Sequence, residues 1–199
     1  MNCSIVRHIK KIAGFFVLLF VVFCALPRAA HASEADTFAG STYFETAAMQ
    51  AEAAFPDSDF AVLVGTGWRD ALAGSSLAGA LGDDGCPIFM TERDSLNPHT
   101  SSALEAMGVE HVVVLGGTLC VSESVVGELE GEGISVERIA GEDWRATQMA
   151  IYDYGLERGL WSDDTVIVAS GDGFRDALSA SPVAFSLKAP VFLVKDGGF

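Results

Sequence analysis

Two stretches of this chain read almost alike: Gly65-Thr66-Gly67-Trp68-Arg69-Asp70-Ala71-Leu72 and Gly171-Asp172-Gly173-Phe174-Arg175-Asp176-Ala177-Leu178. Each follows a short apolar run, 60–64 and 165–169, and each opens a stretch of small apolar residues, 71–81 and 177–187. A proline and a second apolar run come next, Pro87-Ile88-Phe89-Met90 in one place and Pro190-Val191-Phe192-Leu193 in the other. The order is strand, glycine turn, helix, strand. Residues 60–64 are too uniformly apolar for a strand with one wet face, so they read as a central strand of a parallel sheet covered on both sides.

The same alternation extends outward from the first copy. Residues 42–55 are rich in Ala, Glu, Met and Gln, which favour helix, and Pro56 follows them. Asn97-Pro98 is an N-cap and first-turn pair, and that helix is expected to stop at Met107-Gly108. His111 to Leu115 reads as a strand ending in Gly116-Gly117-Thr118, Ser122 caps a further helix, and residues 135–139 make another strand. Strands separated by helices require right-handed crossovers. The expected fold class is therefore α/β, a three-layer parallel-sheet repeat unit, with strands near 60–64, 87–91, 111–115, 135–139, 165–169 and 190–194.

At Gly141 the pattern restarts. Gly40-Ser41-Thr42-Tyr43-Phe44-Glu45-Thr46 matches Gly141-Glu142-Asp143-Trp144-Arg145-Ala146-Thr147 at the glycine, the aromatic and the threonine. Residues 40–140 are expected to form one complete copy, and residues 141–199 a second, incomplete one that stops after its second strand. Residues 33–39 read as an acidic linker. In front of it, Arg7, Lys10 and Lys11 precede an apolar run from Ile12 to Leu26, and Ala30-His31-Ala32 offers small residues for cleavage. This is the pattern of a secretory signal peptide over residues 1–32. Its apolar run of about 15 residues is shorter than the roughly 20 that span a bilayer, so no stable membrane insertion is expected after cleavage.

The chain carries a formal net charge of −15. Loss of residues 1–32 removes four cations (Arg7, Lys10, Lys11 and Arg28) and no acid, which takes the charge from −15 to −19. Such a surface repels nucleic acid and anionic lipid. An anionic ligand would need local arginines or a bridging cation. Two cysteines remain, Cys86 and Cys120. One precedes its strand and the other follows the next, which places them at opposite ends of a parallel sheet, so two unpaired and largely buried thiols are expected.

A ligand is expected at the carboxyl ends of the strands, where open α/β sheets bind their ligands. Gly65, Gly67, Gly171 and Gly173 would turn backbone N–H groups toward that edge, and helix N-termini favour anions there. Arg69 and Arg175 suit a planar phosphate contact. A second reading stands beside this one, in which Arg69 pairs with Asp70, and Arg175 with Asp176, merely to cap the turn. Trp68 and Phe174 read as packing residues before sugar platforms.

Taken together, the phrases Arg138-Ile139-Ala140-Gly141-Glu142-Asp143-Trp144-Arg145-Ala146-Thr147, residues 168–180 and Val113-Val114-Leu115-Gly116-Gly117-Thr118 resemble the type 2 cell-wall-binding repeat of Gram-positive surface proteins. The resemblance covers essentially all of the chain after the leader. It implies a secreted, cell-surface protein anchored non-covalently to an anionic, teichoic-acid-like wall polymer. The implied ligand-binding residues are Gly65, Gly67, Arg69, Asp70, Gly116, Gly117, Thr118, Arg145, Gly171, Gly173, Arg175 and Asp176. The family usually has three tandem repeats, whereas this chain has fewer than two, and Tyr43-Phe44-Glu45-Thr46 lacks the arginine of the second copy. A remnant without binding activity of its own is therefore one alternative.

A secreted wall-modifying enzyme is the other. Asp70 stands where a dinucleotide fingerprint needs its third glycine, no Gly-x-Ser-x-Gly elbow is present, and His99 and His111 lack metal-ligand spacing. No catalytic residue, metal or cofactor is assigned. Without later strands beside the apolar run 190–194, backbone groups along that edge would lack partners and the helix 175–187 would be covered on one side. Self-association, or pairing with other repeat-containing chains, is expected from that.

Overall fold

The computed structural model describes residues 37–162 and 165–195; the leader and its cleavage point lie outside them. Four strands, β1 Phe60–Val64, β2 Ile88–Met90, β3 His111–Leu115 and β4 Ser135–Ile139, form a parallel sheet in the order β2-β1-β3-β4. Helices α1 Tyr43–Ala54, α2 Trp68–Ala73, α3 Ser75–Ala80, α4 Pro98–Met107, α5 Glu123–Gly131 and α6 Trp144–Glu157 alternate with them. Asn97 Oδ1 accepts the His99 N–H at 2.9 Å to start α4, and Gly108, at φ 72°, ends it.

The period of a strand decides the layers. Ala61, Leu63, Val112 and Val114 point one way, into a core with Ala51 of α1, Leu104 of α4 and Leu129 of α5. Val62, Val64, Val113 and Leu115 point the other way, against Ala73 of α2, Leu77 of α3 and Ile151 of α6. Three layers result, as the uniformly apolar strands require. The motif glycines have a local purpose as well. The Gly40 N–H donates to Thr46 Oγ1 at 3.0 Å, and the Gly141 N–H donates to Thr147 Oγ1 at 3.1 Å. The repeated glycine and threonine thus close the same turn before α1 and before α6.

A second parallel sheet pairs β5 Ile167–Ser170 with β6 Val191–Val194, joined by α7 Phe174–Leu187. Its core holds Ala169, Ala177, Ala184, Val191 and Leu193, and it takes in Trp68 and Leu72 from α2. The copies therefore share helices. At Gly79 of α3 a Cβ would overlap the Phe185 backbone of α7, so the absence of a side chain sets how closely the two helices approach. The helix expected over 71–81 is two segments meeting at Gly74, where a side chain would strike Leu115.

Two expectations need correction. Cys86 is buried and unpaired, but the equally unpaired Cys120 is exposed, because the loop after β3 carries it to the rim of the sheet. The outer edge of β6 does not stand open at Leu193. Gln148 of α6 lies there, 2 % exposed; its Oε1 accepts the Leu193 N–H at 2.9 Å and its Nε2 donates to the Leu193 carbonyl at 3.3 Å. A side-chain amide caps this edge, which corresponds to the edge strand β2 of the first sheet. The open edge belongs to β5, which has no strand on its other side among the described residues.

Gln148→Leu keeps the volume but strands two buried backbone groups, each worth about 1–3 kcal/mol. We expect a loss of about 2–4 kcal/mol in chemical denaturation, with hydrogen exchange at Leu193 accelerating before that of β1. Unchanged exchange at Leu193 would refute this role.

Candidate functional site

Parallel strands bring every carboxyl end to one edge. Val64 and Leu115 are register partners, so the turns that follow, Gly65 and Gly116, lie side by side. A Cβ at Gly65 would come to 2.6 Å from the Cys120 carbonyl, and one at Gly116, where φ is 98°, to 2.7 Å from Asp70 Oδ2. β4 then delivers the start of α6 to the same place. The outcome is a groove of about 330 Å³ lined by Asp70, the loop Gly116 to Cys120, the turn Gly141 to Asp143, Trp144 and Thr147.

Asp70, Gly116, Gly117 and Thr118 line this groove together, and Gly65 backs it from behind Cys120. Arg145 is not among the lining residues; its guanidinium lies 4.4 Å from the centre of the ring of Trp144, which is. Asp176 lies in a separate groove of about 480 Å³ with Val168, Ser170 and Asp172, at the end of the second sheet. Arg175 is exposed beside it, 5.8 Å from the centre of the Phe174 ring. Gly67 and Gly173 are the N-caps of α2 and α7. The expected residues thus divide between two places.

The arginines divide too. Arg69 Nη2 donates to the Gly171 carbonyl at 3.2 Å, while its guanidinium stacks at 4.5 Å on Trp68 and 5.2 Å on Trp144. It ties the turn after β1 to the turn after β5. Arg138 was not singled out in the sequence, although it opens the phrase that leads into Gly141. Its Nη1 donates to the Gly116 carbonyl at 2.9 Å, and its Nη2 lies 3.1 Å from Glu123 Oε1, close enough to attract but off line for a hydrogen bond. Two guanidinium groups therefore hold glycine carbonyls in place. The guanidinium groups of Arg145 and Arg175 make no hydrogen bond or ion pair with the described residues.

Asp70 and Cys120 form the other pairing that the sequence left unread. Burial pushes the Asp70 carboxyl above its ordinary range, against a hydrogen bond from the Cys120 thiol and the charge of Arg69. Desolvation, and then the Asp70 charge, push the Cys120 thiol up as well. Such a thiol stays protonated and is a weak nucleophile. Neither histidine reaches the groove: His111 stacks on Phe60 at the opposite end of β3, and His99 starts α4. Among the described residues no group of three His, Cys, Asp or Glu side chains could hold a metal ion, and no helix is long and apolar enough to cross a membrane.

Two variants test this geometry. A carboxyl whose folded pKa is raised favours the fold while protonated, and that contribution is lost as pH rises through the folded value. Asp70→Asn should therefore gain stability relative to the parent as pH rises above the ordinary carboxylate range, seen as a Tm difference that widens with pH. A difference that stays flat or narrows would show that the carboxyl is not desolvated. Arg69→Met keeps the length but drops a charged donor worth about 1.5–3 kcal/mol, so chemical denaturation should show a loss of that order.

The profile of the family described as Cell wall binding domain 2 (CWB2) matches residues 37–126 and 138–198. An amidase enhancer of Bacillus subtilis (strain 168) is 27% identical over 161 residues, covering 80% of this chain and 22% of that protein. The N-acetylmuramoyl-L-alanine amidase LytC of the same organism is 25% identical over 187 residues, covering 92% of this chain and 35% of the relative. The chain thus spans well under half of either relative's length. Among solved structures, Cwp8 from Clostridium difficile superposes with a TM-score of 0.69 at 26% identity, covering 97% of this chain and 31% of that one. Cwp6 from the same organism superposes at 0.71 with 22% identity, covering 84% and 28%, a likeness of fold.

Proposed function

The chain belongs to the cell wall binding domain 2 family, and from that premise we propose that it is an exported, non-catalytic protein anchoring to an anionic polymer of a Gram-positive cell wall. A cell wall or surface location and a cell wall partner in general follow from the family. The finer reading rests on one observation above all: Arg145 lies over the ring of Trp144, a residue that lines the groove, with no ion pair among the described residues. A guanidinium resting over an aromatic ring, with its N–H groups unspent, can meet a phosphate or carboxylate bidentately. The glycine-rich turns beside it leave backbone within reach of a ligand.

Arg69 and Arg138 act one step behind. They hold the Gly171 and Gly116 carbonyls, and so shape the turns, with Arg69 Nε and Arg138 Nη2 buried without a hydrogen-bond partner. The groove's own carboxylates, Asp70, Glu142 and Asp143, and the overall charge of −15 oppose a polyanion. Affinity therefore comes from local contacts, is modest, and falls with salt. Non-catalytic anchoring agrees with a thiol held protonated by desolvation and by Asp70, and with histidines placed away from the groove.

Co-sedimentation with purified Gram-positive walls tests the reading. The mature chain should pellet with walls, should lose binding when the anionic polymer is extracted, and should not clear a wall suspension. Arg145→Gln should weaken pelleting about tenfold, as expected for one charge-assisted contact, with the far-ultraviolet spectrum unchanged. Failure of the parent to pellet would favour a remnant without binding activity. Clearing of the suspension would overturn the non-catalytic reading.

A further inference from the structure

Four side chains stand in series where the two copies meet. Trp68 and Arg69 open α2 in the first copy, and Trp144 and Arg145 open α6 in the second. The Arg69 guanidinium lies 4.5 Å from the centre of the Trp68 ring and 5.2 Å from the centre of the Trp144 ring. The Arg145 guanidinium lies 4.4 Å from the centre of that same Trp144 ring. All three separations fall within the roughly 6 Å over which a ring attracts a cation. Ring and cation thus alternate across the boundary between copies, and the series ends on the arginine that makes no ion pair.

Hydrogen bonding alone does not account for Arg69. Among the described residues its guanidinium makes one bond, from Nη2 to the Gly171 carbonyl at 3.2 Å, and Nε is buried without a partner. A desolvated cation is costly unless its surroundings compensate. Here the two indole rings and the neighbouring Asp70 carboxyl do so. Trp144, in turn, lacks a polar anchor. The Trp161 indole is fixed by donating from Nε1 to the Tyr152 carbonyl at 2.9 Å, whereas the Trp144 indole makes no such bond among the described residues. Its neighbours set its position: the core of the second sheet, Gly171, where a Cβ would come to 3.3 Å from the ring, and Arg69.

We propose that Arg69 is a positioning residue for wall binding: it holds the Trp144 ring beside the groove, and through that ring the Arg145 guanidinium, without touching the polymer itself. The proposal rests on Arg145 as the ligand contact. Arg69 belongs to the first copy and Arg145 to the second, so the contact residue is set only when the two copies dock. Loss of Arg69 then weakens binding by releasing Arg145, not by removing a charge from the ligand.

The experiment compares the mature chain with Arg69→Met, Arg145→Gln and the double variant in co-sedimentation with purified walls, well below the Tm of each. Slow amide exchange at Leu193 shows that the second sheet is formed. Arg69→Met should weaken pelleting about three- to tenfold, and the double variant should pellet no worse than Arg145→Gln, because both changes act on one contact. Full pelleting of Arg69→Met would overturn the proposal. So would effects that multiply in the double variant, which would make Arg69 an independent contact. The readout without ligand is the Arg145 δ-methylene resonance, which the Trp144 ring current shifts. It should move toward its free-chain position in Arg69→Met. Arg69→Gln keeps an amide donor for the Gly171 carbonyl but drops the cation, and it should show the same movement with less loss of stability. Parent-like resonances and pelleting in Arg69→Gln would reduce Arg69 to holding the turn and overturn the proposal. Failure of the parent to pellet would count against the wall-binding reading, and the resonance would still decide whether Arg69 holds Arg145.

Discussion

Burial of both faces of a parallel sheet is the constraint on which the rest of this molecule depends. The strands Phe60–Val64 and His111–Leu115 are apolar at successive positions, and in a strand successive positions face opposite ways. One face is closed by α1, α4 and α5, all belonging to the first copy. The other face is closed partly by α2 and α3 and partly by residues of the second copy, Ile151 of α6 and Phe185 of α7. The first copy does not finish its own core, and tandem repetition is therefore a condition of stability here.

That sharing explains why the glycine turns match better than the surfaces around them. Gly79 exists to let α7 approach, and Gly85 lies against the Phe185 ring. Arg69 reaches from the first turn to the Gly171 carbonyl of the second, between two tryptophans. A residue that looks from its motif like a ligand contact is occupied in joining copies. Its counterpart Arg175 has no following copy among the described residues to reach and lies exposed. Identical motif positions have different duties because their neighbours differ.

The groove inherits its character from the same arrangement. The parallel strands place Gly65, Gly116 and Gly141 at one edge, and the start of α6 adds Trp144 and Arg145 to it. Its lining is mixed: carboxylates from Asp70, Glu142 and Asp143, backbone at the glycines, and the Trp144 ring that carries the Arg145 guanidinium. Carboxylates there can accept from hydroxyls and would repel phosphate.

By itself the sequence determined the fold. The apolar runs, the glycine turns, Asn97 and Gly108 at the ends of α4, and the Gly40/Thr46 and Gly141/Thr147 pairs are local signals. Local geometry and strand period suffice to interpret them. The resemblance carried by residues 138–147 and 168–180 likewise pointed to the family that the comparisons establish. Tertiary structure alone decided which arginines are spent. It put Arg69 and Arg138 on glycine carbonyls 102 and 22 residues away, and left Arg145 unpaired on Trp144. It also placed Gln148 on the Leu193 backbone at the edge of β6, and it brought Cys120 to Asp70. These contacts join residues far apart in the chain, and no short-range pattern encodes them. They depend on how two copies meet, and that is fixed only when both sheets bury their faces together.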